Sequence, residues 1–436
     1  MSALDGSVVN TILPLLSHDL GTTVAGVEWV LTVYLLVVSG LLLGVGRAGD
    51  LYGHKDVYVI GFVIFVLGST LCGLAHSIGM LVAMRGLQAV GAAMLYANSA
   101  AILTRSFPPE QRGKALGAQG TFTYLGLMAG PSLGGWLASA AGWRWVFYIN
   151  VPVGILGIVM ALRLIERDRP QKVDERFDVK GALLFTSGLV SLLVALNQGH
   201  AWGWGSARTL ILLAIALVML AVFVRVELRE RFPMLDLSLF RDRVFSASTA
   251  SALLNYICVY SVLFVLPFLL IQGRGLDTRH AGLVLTAQPL VMAIVAPLSG
   301  TMSDRIGSTI LATLGMLILS AGLIVIALSA SSPMTYVVLG MAIIGLGIGL
   351  FVSPNNSALM GAAPRHRQGI ASGVLASARN VGMVLGVGIS GAVFTTILGR
   401  GGADALLHGV RTSLLIAAGI AGVGAVVTLM ARARRG

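Results

Sequence analysis

The chain alternates long apolar stretches with short polar connections from its first residues to its last. Residues 27–46, VEWVLTVYLLVVSGLLLGVG, show the unit: about twenty mostly apolar residues, enough as a helix to cross roughly 30 Å of hydrocarbon. Comparable stretches lie at 1–16, 57–76, 79–103, 115–140, 145–164, 179–198, 208–226, 244–272, 280–302, 308–330, 333–356, 369–398 and 406–431. The pattern predicts an all-α polytopic membrane protein with fourteen spanning helices. It does not read as a cleavable signal, because the apolar stretches continue to the C-terminus.

Composition agrees. Of 436 residues, 56% are hydrophobic and 11% charged, too few charges to cover a soluble protein of this size. The formal charge of +12 would suggest nucleic acid in a soluble protein, but its distribution points to orientation in a bilayer. Basic residues gather after even-numbered spans: Arg47 and Lys55; Arg105, Arg112 and Lys114; Arg167, Arg169, Lys172, Arg176 and Lys180; the segment from Arg225 to Arg243; Arg365 and Arg367; and the tail ARARRG. The opposite connections hold only Arg144, Arg208, Arg274, Arg279, Arg400 and Arg411. Both termini are therefore expected in the cytoplasm. Trp29, Trp136, Trp143, Trp145, Trp202 and Trp204 all fall on the other side, as an interfacial belt would. Lysine fills only four of the thirty basic positions, and Ala, Gly and Val abound. That composition suggests a GC-rich bacterial gene, and hence the bacterial cytoplasmic membrane.

Several chemistries lose support. Cys72 and Cys258 each lie inside an apolar stretch, which reads as packing rather than a disulfide framework. The histidines sit in connections or at span ends, with no intramembrane cluster of metal-ligating residues. The context of Lys114, PPEQRGKA, fails the phosphate-loop pattern. The expectation is a non-enzyme without cofactor or nucleic-acid partner.

The chain also repeats itself. GRAGDLYG, Gly46 to Gly53, recurs in spacing as GTMSDRIG, Gly300 to Gly307, 254 positions later. Gly113 and Gly117 match Gly369 and Gly373 at an offset of 256. The expected organisation is a six-helix bundle over 1–166, two extra helices with linkers over 167–243, and a second six-helix bundle over 244–436. Repeated halves around a midplane site are a common transporter plan.

The motifs carry a resemblance. LDGSVVNTILP (Leu4 to Pro14), GRAGDLYGHK (Gly46 to Lys55), MRGLQAVGAA (Met84 to Ala93), GLMAGPSLGG (Gly126 to Gly135), WRWVFYINVPVG (Trp143 to Gly154), the later WGWG and PMLDLSLF (Pro233 to Phe240) occur in this order. Together they resemble the major facilitator superfamily, specifically its fourteen-span drug:proton antiporter branch, along nearly the whole chain. The resemblance implies export of lipophilic drugs or antibiotics in exchange for protons, and it places Arg85 in the proton pathway. Cationic substrates are permitted without being required. The sequence departs from the usual loop motif at Leu51 and Asp56, where family members often carry basic residues.

Asp5 is the deep carboxylate, whereas Glu28 lies at the outer edge of its span. About eleven residues separate Asp5 from the end of its stretch, or roughly 16 Å of helix, which puts it near the midplane. A carboxylate there must be paired, hydrated or protonated; desolvation would raise its proton affinity, and an intramembrane ionisable group is a functional candidate. Asp5 is read as the proton carrier, with Arg85 paired to it or to a water chain leading to it, and Gln88 one turn from Arg85 along the same helix face. Candidate substrate-cavity residues are Asn10, Tyr34, Asn98, Tyr124, Asn255, Tyr256, Gln288, Asn355 and Arg379. Gating is expected at Gly46, Asp50 and Gly53, at Gly126, Gly130, Pro131, Gly134 and Gly135, and at Asp304 and Arg305. Gly46 and Gly53 are expected to form tight turns, and Pro131 to favour a kink.

The expected partners are a small-molecule substrate, protons and the lipid bilayer, with the chain a monomer. A dedicated exporter of one metabolite and a transport-inactive membrane sensor are the competing readings. Residues 1–16 make only about 24 Å of helix, so the first helix is expected to be truncated at its start.

Overall fold

Every one of the fourteen apolar stretches is helical in the computed structural model, which describes residues 2–106, 109–166, 179–203, 205–228, 237–364, 368–399, 401 and 404–430. The helices are α1 (Ser2–Thr11), α2 (Leu13–Asp19), α3 (Val24–Tyr52), α4 (His54–Gly73), α5 (Ile78–Ser106), α6 (Pro109–Ala141), α7 (Arg144–Tyr148), α8 (Asn150–Leu164), α9 (Val179–Trp202), α10 (Ala207–Glu227), α11 (Arg243–Phe268), α12 (Thr278–Ile306), α13 (Ser308–Leu328), α14 (Met334–Ala362), α15 (Gln368–Leu398) and α16 (Ala405–Met430). A 3₁₀ turn, Leu237–Arg241, leads into α11, and a π turn, Leu269–Gly273, follows it.

Among the described residues, eleven helical segments are long and apolar enough to cross a membrane, and Lys180–Leu196, within α9, is a shorter apolar stretch. The remaining expected spans fall in α1 with α2, in α6 and in α9. The first stretch is divided between α1 and α2, with Pro14 at the start of α2, where the missing N–H is tolerated. The fifth lies in α6, which does not belong to that set.

The described chain divides into two compact units, one comprising Met1–Ala195 with Leu210–Met234, the other Leu196–Thr209 with Leu235–Gly436. In the first unit α9 packs on α3, where Thr186 donates to the Gly40 carbonyl at 2.6 Å. Lys55, at the start of α4, donates from Nζ to the Leu162 carbonyl at 2.9 Å and to that of Ile165. These are carbonyls at the end of α8 that lack a helical partner, so a cation there also complements the helix dipole.

Each unit carries its own copy of the glycine pattern. Gly53 joins α3 to α4 with φ 101° and ψ 126°, and Gly307 joins α12 to α13 with φ 94° and ψ 137°. Such backbone is open to glycine and closed to residues with a Cβ. The helix crossing that follows is repeated too. A Cβ on Gly91 of α5 would lie 2.4 Å from the Phe65 nitrogen of α4, and one on Gly347 of α14 would lie 2.5 Å from the Leu319 nitrogen of α13. Gly46, by contrast, is an ordinary position within α3, and a Cβ there would meet only Ala97 at 3.7 Å. The turn rests on Gly53 alone.

The expected aromatic belt also needs correction. Trp136 and Trp145 are about half exposed, but Trp143 is buried, with the Arg144 guanidinium 4.3 Å from its ring centroid and Phe147 edge-on at 6.1 Å. Its place in the fold is internal packing. Trp204 lies outside the described residues.

Candidate functional site

Asp5 enters the first unit from α1, whose close approach to α6 is set by glycines. Ser7 donates to the Leu4 carbonyl at 3.0 Å and to the Gly126 carbonyl at 3.5 Å, while Gly130 and Gly134 leave room for Ser7 and Val8. Asp5 is thereby held in the interior at 1% exposure. An isolated carboxylate at such a position is costly.

Three side-chain donors meet it. Arg85 Nη1 reaches Oδ2 at 2.7 Å; Gln88 Nε2 reaches Oδ1 at 3.0 Å; Asn150 Nδ2 reaches Oδ1 at 2.7 Å. Arg85 is equally enclosed. Its Nη1 also donates to Gln88 Oε1 at 2.7 Å, its Nε donates to the Val30 carbonyl at 3.3 Å, and its guanidinium lies 4.2 Å from the Tyr34 ring centroid and 5.9 Å from that of Phe147. Removing two charges from water costs several kcal/mol per ion, roughly, and the interior repays it only where geometry is good and remaining lone pairs are satisfied. Here the pair has charge-assisted hydrogen bonds, two neutral amides and an aromatic face.

The network extends to α4 and α7. Asn150 Nδ2 also donates to Ser69 Oγ at 3.1 Å, Ser69 donates to the Phe147 carbonyl at 2.8 Å, and Cys72 Sγ lies 3.9 Å from Gln88 Oε1. Sequence reasoning named Asp5, Arg85, Gln88 and Tyr34, and the structure brings these four together. It missed Asn150 and Ser69. Asn150 lay within a quoted motif, FYINVP, where a polar residue at the head of an apolar helix was the available signal.

Other candidates go elsewhere. Asn10 is buried on α1, but its Oδ1 has no hydrogen-bond partner among the described residues. Asn98 accepts from or shares a proton with His54 Nδ1 at 2.7 Å and donates to the Met94 carbonyl at 2.9 Å. It crowds Gly49 near the α3–α4 turn, which places it with the loop motif rather than with Asp5.

In the second unit, Arg379 lies 4.9 Å from the Tyr256 ring centroid. Asn255 Nδ2 faces Met316 Sδ at 3.4 Å, and Asn355 binds Ser251 Oγ and the Ser248 carbonyl at 3.0 Å each. Gln288 is buried with Oε1 unpartnered among described residues. Pro131, Gly134 and Gly135 are buried in α6, and Arg305 is exposed. The side chains of Tyr124, Asp50 and Asp304 lie outside the described residues.

The family model described as Major Facilitator Superfamily matches residues 1–387 and again 249–436. The chain belongs to the Major Facilitator Superfamily. This superfamily member is 33% identical over 438 residues to the riboflavin transporter RibZ of Clostridioides difficile (strain 630), spanning 98% of this chain and 94% of RibZ. Multidrug resistance protein Stp of Mycobacterium tuberculosis (strain CDC 1551 / Oshkosh) is 33% identical over 399 residues, spanning 91% of this chain and 74% of Stp. Among solved structures, a bacterial homolog to the human lysosomal transporter Spinster matches with a TM-score of 0.68 at 17% identity, covering 99% of this chain and 94% of that one. The last likeness concerns the fold. The relatives and the apolar helices together make this superfamily member a multi-pass membrane protein of a transporter family.

Proposed function

We propose that the protein is a proton-coupled antiporter that exports lipophilic drugs or antibiotics across the bacterial cytoplasmic membrane by alternating access. The observation that carries this reading is the enclosed Asp5, held by Arg85, Gln88 and Asn150. As a carboxylate it neutralises Arg85. Protonated, it releases that cation to Gln88, the Val30 carbonyl and the Tyr34 face, so one proton changes the charge of the unit's interior. A membrane potential contributes about 2.3 kcal/mol per charge per 100 mV. Under this reading the chain has fourteen spans, two six-helix bundles and two inserted helices. Its termini are cytoplasmic, it works as a monomer, and the proton gradient replaces a bound cofactor. The cavity residues and gating glycines keep the roles assigned from the sequence, except Gly46, which leaves the α3–α4 turn to Gly53, and Asn98, which joins the gate.

A second reading has its own support, since RibZ is named a riboflavin transporter and matches over nearly the whole of both chains: the protein exports one dedicated metabolite on the same scaffold. Efflux of a panel of dyes and antibiotics from energised cells, with and without a protonophore, separates the two. Broad efflux that stops with the protonophore and in Asp5→Asn is the expected result. Efflux unchanged in Asp5→Asn would remove Asp5 from coupling, and movement of a single compound would favour the second reading.

A further inference from the structure

Asn150 is enclosed at 1% exposure and spends both N–H bonds of its amide inside the unit, one on Asp5 Oδ1 at 2.7 Å and one on Ser69 Oγ at 3.1 Å. Ser69 passes its own proton to the Phe147 carbonyl at 2.8 Å. All these donors suit an ionised Asp5. An amide nitrogen only donates, so a proton on Asp5 Oδ1 would leave two donors facing each other across 2.7 Å.

We propose that Asn150 is a positioning residue that reads the protonation state of Asp5 by reversing its side-chain amide. This inference rests on the reading of Asp5 as the proton carrier. When the proton arrives on Oδ1, a half-turn of the Asn150 amide presents its Oδ1 to the new O–H. The same oxygen accepts from Ser69, whose hydroxyl turns away from the Phe147 carbonyl. No covalent bond changes except the O–H formed on Asp5, and loss of that proton restores every donor.

Gln88 is not equivalent, because its Oε1 already accepts from Arg85 Nη1 at 2.7 Å, and a guanidinium has no acceptor with which to reverse. The amide on α8 is therefore free to respond where the amide on α5 is fixed. The titratable groups around the switch are Arg85 from α5, Cys72 from α4 beside Gln88 Oε1, and Tyr34 from α3 beneath the guanidinium; Glu28 is also buried on α3. The signal leaves through Ser69 on α4 and the Phe147 carbonyl on α7, so a proton on α1 alters hydrogen bonding in two neighbouring helices.

The test follows the Asp5 carboxyl C=O band by difference infrared spectroscopy through a pH titration of the full chain in lipid vesicles. The band is assigned by its loss in Asp5→Asn. Asn150→Leu removes a bond from both states of Asp5, the charge-assisted one to the carboxylate being the stronger. The titration midpoint should therefore move alkaline by under about one pH unit, whereas loss of a fixed donor that serves the carboxylate alone would move it by about one to two and overturn the reversal. Ser69→Ala keeps the donor to Asp5 but frees the amide, and should move the midpoint the same way by less. It decides the matter if Asn150→Leu fails to fold. A purely structural role would lower stability without moving either midpoint, and unchanged midpoints overturn the proposal. An Asp5 band that titrates identically in all variants overturns this inference alone. A band that never titrates overturns it together with the proton-carrier reading.

Discussion

Gly130 of α6 lies so close to Ser7 of α1 that a Cβ at position 130 would stand 1.8 Å from the Ser7 hydroxyl oxygen and 2.7 Å from its Cβ. Turning the hydroxyl away relieves the first conflict and leaves the second, so Gly130→Ala must push α1 off α6. Asp5, two residues from Ser7, moves with it. The expected loss is about 1–3 kcal/mol of stability, as for overpacking elsewhere, with loss of efflux. Ser7→Gly in the same chain should recover both, read as melting temperature in detergent and dye efflux in cells. A Gly130→Ala variant as stable and active as the parent contradicts the geometry.

The α12–α13 turn offers a test of backbone strain without crowding. Nothing lies within 4 Å of a Cβ at Gly307, yet its φ is +94°. Gly307→Ala should therefore cost about 1–3 kcal/mol through conformation alone. Gly361, in α14, also has open space but no positive φ, and Gly361→Ala should be neutral or stabilise by up to roughly 1 kcal/mol through helix propensity. Equal melting temperatures for the two variants would refute the distinction.

Arg85 and Asp5 should show strong coupling in a double-mutant cycle. Arg85→Gln leaves an enclosed carboxylate without its cation, a change that typically costs about 3–5 kcal/mol. Adding Asp5→Asn removes the stranded charge and should recover most of that stability, while efflux stays absent. Additive losses would mean the two side chains contribute independently.

At the start of α12, outside the apolar segment, Asp277 accepts from the His280 backbone N–H at 2.9 Å and pairs with the His280 ring. The backbone bond, then the side-chain bond, holds its carboxyl below the ordinary value of 3.8. A depressed carboxyl contributes stability that is complete above its unfolded value and is lost as pH falls through the folded one. The protection factor of the His280 amide, its exchange rate divided out by the intrinsic rate at each pH, should therefore fall as pH drops below about 4, the unfolded carboxylate range. In Asp277→Asn, which keeps a capping oxygen but cannot titrate, that acid-specific step should vanish.

Charge and helical periodicity were legible in the sequence because lipid makes both conspicuous. Asp5 and Arg85 stand out in apolar surroundings, and each demands a partner or water, so the sequence offered their pairing as one of two arrangements and the structure shows the direct contact. Gly53 and Gly307 were found by spacing alone, and their shared backbone conformation explains the spacing. Neutral polar groups gave no such warning: Asn150 and Ser69 look like any interhelical hydrogen bonders, and only three-dimensional placement joins them to Asp5. Asn98 misled for the same reason. Its depth in an apolar stretch resembled a cavity position, whereas its side chain is committed to His54 beside the α3–α4 turn.

Lys55 fastens the far end of α8 to the base of α4, while Asn150 at the near end grips the carboxylate on α1. Fifteen residues of helix, about 22 Å, separate these two attachments. The helix is thus tied at both ends, and one rigid element joins the carboxylate on α1 to the stretch beside the positive-φ turn at Gly53.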